Sequence, residues 1–169
     1  MKALIFSYKF LFLTFMSLPL ALCSSDNETE TETEIPFESV TIDLGNTNVT
    51  LNDTMFELQG FLFRVERVES TTAGGPGILL AFPNENDEFS FIELDLMDTR
   101  GISKITISLF NNCRGCLDIQ VLNGSQIITE VPDSEIESAA TEVIIDVDSE
   151  ISALRIASVE TTVNKIKLE

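Results

Sequence analysis

The sequence contains no histidine and no tryptophan, and its one tyrosine is Tyr8. Without histidine, a serine nucleophile lacks its usual general base, and a zinc site lacks a common ligand. Without tryptophan, or tyrosine beyond the first segment, the amphipathic rings that suit sugar platforms are missing. Cations are scarce too: 10 Lys and Arg stand against 28 Asp and Glu, for a formal charge of −18. Nucleic-acid binding needs basic side chains to displace counterions from phosphates, so it is excluded. Docking onto anionic lipid by charge alone is disfavoured for the same reason. Long apolar runs are also lacking: none reaches the ~20 residues of a membrane-spanning helix.

What is present begins with an address. Lys2 and Lys9 precede an apolar run over 10–22 that Thr14, Ser17 and Pro19 interrupt. A charged start and a short apolar stretch predict a secretory signal peptide over 1–22. From 26 to 34 the chain reads DNETETETE, acidic at every second position with no apolar face to bury. Like charges keep such a segment extended and solvated, so 23–35 is expected to be a tether. Its residues 24–35 reach at most ~40 Å at ~3.3–3.6 Å each.

Beyond Pro36 short alternating runs recur to the end of the sequence. Val40, Ile42 and Leu44 alternate with polar neighbours, as do Phe61, Phe63 and Val65. Ile105, Ile107 and Leu109 repeat the pattern, then Leu117, Ile119 and Val121, then Val143, Ile145 and Val147, then Ile166 and Leu168. Residues 77–82, 88–96 and 153–158 are further strand candidates, and Asn123-Gly124 marks a hairpin. Helical periodicity is weak throughout; one short helix is the best reading of 132–140. About ten strands with turn signals predict an all-β domain over 36–169, an antiparallel sandwich or barrel.

Two resemblances refine this reading. Leu20-Ala21-Leu22-Cys23 resembles the lipobox of bacterial lipoproteins, although Leu22 stands where that family prefers a small residue. Ser24-Ser25-Asp26-Asn27-Glu28 resembles the export tag of Bacteroidota surface lipoproteins. Together they imply lipid on Cys23 and attachment to the outer membrane at the cell surface. Ordinary cleavage after Cys23, releasing a secreted protein, stays open, because both routes leave Cys113 and Cys116 as an even pair. The stretches ISKITISLFNNCRGCLDIQVL (102–122) and SALRIASVETTVNKIKLE (152–169) resemble galactose-binding-like jelly-roll domains, a sandwich common among carbohydrate-binding modules. That resemblance implies a jelly-roll fold and a glycan or surface protein as partner.

Candidate chemistry is thin. Cys113-Arg114-Gly115-Cys116 lies between two strand runs and lacks the following helix that lowers a thiol pKa in redox enzymes. A disulfide clipping a loop is the expected role, with redox or metal functions as alternatives. Asn111, Asn112 and Arg114 on that loop are the polar residues expected to meet a ligand, without an aromatic platform. Asp146, Asp148 and Glu150, acids at alternate positions, are the candidate calcium ligands, since calcium takes six to eight oxygens from flexible loops. Asp95 with Asp98, and the oxygen-rich residues 84–88, are further raw material. Phe110, out of phase with Ile105, Ile107 and Leu109, is expected to pack on the opposite face of its sheet under another segment. No nucleophile, base and orienter come together in the sequence. The expectation is a non-catalytic ligand-binding or adhesion module. A structural secreted sandwich is the alternative, and a glycoside-active enzyme is a distant one.

Overall fold

Each alternating run has one apolar face, and pairing into sheets that pack on one another is the way to bury it. In the computed structural model, described over residues 37–81, 89–131, 136 and 139–169, twelve strands form. They are β1 (Val40–Asp43), β2 (Met55–Leu58), β3 (Phe61–Glu66), β4 (Val68–Thr71), β5 (Gly77–Leu80) and β6 (Ser90–Asp95). After them come β7 (Lys104–Asn111), β8 (Leu117–Asn123), β9 (Gln126–Val131), β10 (Ala139–Asp146), β11 (Ala153–Ser158) and β12 (Thr161–Leu168). The signal segment, Cys23, the acidic tether and residues 84–88 lie outside the described residues. The helix expected over 132–140 lies mostly outside them too, and its last two positions, Ala139 and Ala140, open β10.

The first sheet runs β10-β7-β12-β5-β4, with β1 sharing the second edge of β12. The second runs β2-β3-β6-β11-β8-β9, and every pairing in both is antiparallel. Apart from the hairpins β2–β3, β4–β5 and β8–β9, each connection crosses from one sheet to the other. This is the antiparallel jelly-roll sandwich expected from the sequence. Ile105, Ile107, Leu109, Val163, Ile166 and Leu168 of the first sheet share one core with Phe63, Ile92, Leu94, Ile119, Val121 and Ile156 of the second. Fully burying such side chains contributes roughly 1.5–3 kcal/mol each.

Departures from plain alternation shape the surfaces. Val65 and Val68 are both buried although their spacing is odd, because Arg67 takes a φ of 56° and turns the chain from the second sheet into the first. Gln59 and Gly60, with φ of 54° and 83°, close the β2–β3 hairpin through two left-handed residues, as a two-residue turn requires. In β12 the register shifts between Val163 and Lys165, so Asn164 is an inserted residue. Its Nδ2 donates to the carbonyl of Pro76 at 3.0 Å, and Thr162 Oγ1 donates to that of Ala73 at 2.9 Å. The loop before β5 is thereby tied over the outer face of the first sheet. Gly74 of that loop has a φ of 75° and rests so closely on Phe110 that a Cβ would lie 2.7 Å from the ring. Phe110 packs on the outer face under another segment, as its phase predicted.

A groove on the outer face of the second sheet

Among the described residues, none is tied in this way over the outer face of the second sheet. Its residues follow from register. Glu66 pairs with Phe91, Phe91 with Ala157, and Ala157 with Asp118, so these four form one line across β3, β6, β11 and β8. The next line, two residues along each strand, is Arg64, Glu93, Arg155, Gln120 and Glu130. Ala157 is small and sits between larger neighbours, so the sheet dips there. The result is an open groove of about 550 Å³ lined by Glu66, Phe89, Phe91, Asp118, Gln120, Arg155 and Ala157.

Within it the polar groups are organised. The Arg155 guanidinium lies over the Phe91 ring, 4.3 Å from its centroid, in cation–π geometry. Gln120 Nε2 donates to Asp118 Oδ2 at 2.9 Å. The Asp118 carboxyl is held above its ordinary range, first by burial and then by the negative charge of Glu130; Arg155 and the Gln120 hydrogen bond oppose both. In the second line Arg64 Nη1 stands 3.7 Å from Glu93 Oε1. Phe89, 38% exposed, presents a second ring beside Phe91. Carboxylates, a carboxamide, a guanidinium and ring faces can together hydrogen-bond hydroxyls and pack against the C–H face of a sugar.

The residues singled out in the sequence fall elsewhere. Cys113 and Cys116 form the expected disulfide, with Cα atoms 5.7 Å apart. Asn112 and Arg114 are exposed on that loop, but Asn111 is inside. Its Oδ1 accepts from the Cys113 amide at 3.1 Å and from Thr161 Oγ1 at 3.0 Å. As the last inward position of β7 it shapes the loop and does not face solvent. Asp146, Asp148 and Glu150 do not form a metal centre: no group of three or more His, Cys, Asp or Glu among the described residues could hold an ion. Asp146 is an outward strand residue in register with Lys104, and Asp148 and Glu150 are exposed beyond the strand end. Asp95 accepts from the Met97 amide at 3.0 Å and closes a turn.

The groove itself was missed, and its signal was available. Phe89 and Phe91 alternate with Ser90 and Ile92, which are buried, so both rings must face outward. Asp118, Gln120, Arg155 and Ala157 are likewise the odd-phase positions of predicted strands. What no single run discloses is which strands lie side by side.

No family model and no characterised protein matches the sequence. Among solved structures, the chain is similar to CBM86, a xylan-binding module from Roseburia intestinalis, at 13% identity and a TM-score of 0.41, covering 78% of this chain and 95% of that one. It is similar to the C-terminal CBM6 of LamC from Zobellia galactanivorans at 12% identity and a TM-score of 0.39, covering 78% and 98%. A third is CBM29_1, a carbohydrate-binding module from Piromyces equi, at 13% identity and a TM-score of 0.46, covering 78% and 90%.

Proposed function

We propose that this protein is a non-catalytic glycan-binding module of the cell envelope. In this reading it is exported, held at the outer membrane by lipid on Cys23, and carried clear of the surface by the acidic tether. The observation that supports glycan binding is the line Glu66–Phe91–Ala157–Asp118 with Arg155 above it. With Phe89 beside it, this line gives the open groove a low apolar floor, hydrogen-bonding groups on both sides and two phenyl rings. Asn112 and Arg114 are exposed on the disulfide loop that precedes Asp118 along the chain and are not among the residues that line the groove.

A glycan and protein array probed with the protein tests this directly. Binding to glycans that Arg155→Ala removes is the expected result. Binding to arrayed surface proteins and to no glycan would overturn the reading. Anchoring has its own test: N-terminal mass spectrometry should find an acylated Cys23, and a mature chain beginning at Ser24 without acyl groups would mean release instead.

A further inference from the structure

Both banks of the groove are carboxylates. Glu66 stands on β3 and Asp118 on β8, three inter-strand steps apart, or about 14 Å at ~4.8 Å per step. That width suits a short oligosaccharide lying across the strands more than a single ring. Among the described residues that line the groove, the one cation is Arg155, which covers Phe91 and interacts with Asp118. Glu130, beside Asp118, adds a further negative charge, and the only other cation in the adjoining line, Arg64, is drawn to Glu93. We infer that the groove takes uncharged glycans and turns away glycans that carry carboxylate or sulfate groups. This rests on the glycan-binding reading and deepens it by naming the ligand's charge class.

The physical argument is repulsion in a partly desolvated site. An uncharged hydroxyl donates to Glu66 or Asp118 and accepts from Arg155 or Gln120, so every group in the line has a use for it. The carboxylate or sulfate group of a charged glycan offers acceptors alone. It meets two acceptor-only carboxylates, and the one cation that could pair with it in the lining is a guanidinium already facing a ring and an acid. Glu130, in register with Gln120 beside Asp118, brings a third acid to the same end of the groove. The chain's overall charge of −18 adds a longer-range barrier to approach.

The test is an array that pairs each neutral polymer with its uronate of the same linkage: cellulose oligosaccharides with β-1,4-polyglucuronate, and β-1,4-mannan with polymannuronate. The protein should bind one or more neutral members and bind the matching uronate at least tenfold more weakly. Raising salt should move that ratio toward one, because screening weakens charge repulsion. Glu66→Gln with Asp118→Asn should also move it toward one at low salt, since the carboxamides keep the shape and lose the charge. Equal binding of a uronate and its neutral partner by the parent protein would overturn the inference and leave the glycan reading standing. So would a ratio unchanged by salt and by the double substitution. Binding to no glycan in either set would remove the glycan reading, and this inference with it.

Discussion

The two sheets present outer faces built from the same kinds of strand, yet they treat charge in opposite ways. On the first sheet, lysines meet acids: Lys104 and Lys167 hold Glu169 at 3.2 and 2.8 Å, and Lys165 stands 3.8 Å from Asp43. Hydrogen bonds from Lys167 and Lys104 hold the Glu169 carboxyl below its ordinary range. On the second sheet Asp118 is displaced the other way, chiefly by burial and an acidic neighbour. One face has its loop tied down and its lysines set against acids; the other has an open groove whose lining holds two carboxylates and one guanidinium. A face closed over by its own loop has little room for a ligand, whereas an open groove with convergent polar groups and a displaced pKa is the usual mark of a binding site.

The contrast can be broken experimentally, and the largest effect is expected on the closed face. Gly74→Ala forces a side chain into a left-handed backbone and into the Phe110 ring, and should cost about 3 kcal/mol in denaturant unfolding. Glycan affinity of the folded fraction should be unchanged. If affinity falls while stability holds, the two faces are not independent. Opening the disulfide with Cys113→Ser and Cys116→Ser comes next, at about 2 kcal/mol for so short a loop.

Arg155→Ala sharpens the comparison from the other side. It should lower glycan affinity at least tenfold, about 1.4 kcal/mol, with the melting temperature nearly preserved. Phe110→Ala should do the reverse, lowering the melting temperature and sparing affinity. Calorimetry with both variants gives the double dissociation, and a matched loss in each would erase it.

The smallest expected effect is in pH. Asp118 has a folded-state pKa above its unfolded value, so its ionised form weakens the fold at neutral pH, and that cost disappears as pH falls through the raised value toward 3.8. Asp118→Asn should therefore be slightly more stable than the parent near neutrality and equal to it in acid. Glu169 works with the opposite sign. Its pKa is depressed, so its contribution is present above the ordinary value of 4.5 and is lost as pH falls through the lowered one. Lys167→Ala should narrow the parent's advantage at neutral pH and leave acid stability alone. Melting curves between pH 3 and 7 check both signs.

How far the sequence could be read follows from the range of the forces involved. Strand runs such as Ile105, Ile107 and Leu109 declare themselves, because period two is local and the core lies on one side. Missed strands have local causes as well. β2 is four residues long with half-buried Phe56 and Leu58, and β4 hides behind the turn at Arg67, betrayed solely by the odd spacing of Val65 and Val68. The groove depends on β3, β6, β11 and β8 being neighbours, and their order in space is set by the packing of the whole core. Acids in sequence misled for a related reason. Asp146 and Asp148 are close along the chain, but Asp146 lies opposite Lys104 in the sheet and Asp148 is exposed past the strand end, with no third ligand brought to them among the described residues.

One feature of the topology bears on how the chain acquires its shape. β12 is the final strand and also an interior strand of its sheet, with β7 along one edge and β5 and β1 along the other. Val40 pairs with Leu168, so that sheet cannot close until residue 168 is free to join it. Contacts this distant along the chain must overcome loop-closure entropy before they stabilise anything, and sandwiches dominated by them fold in milliseconds to seconds. Until residues 161–168 are available to pair, β7, β5 and β1 have no common neighbour and the first sheet stays in pieces.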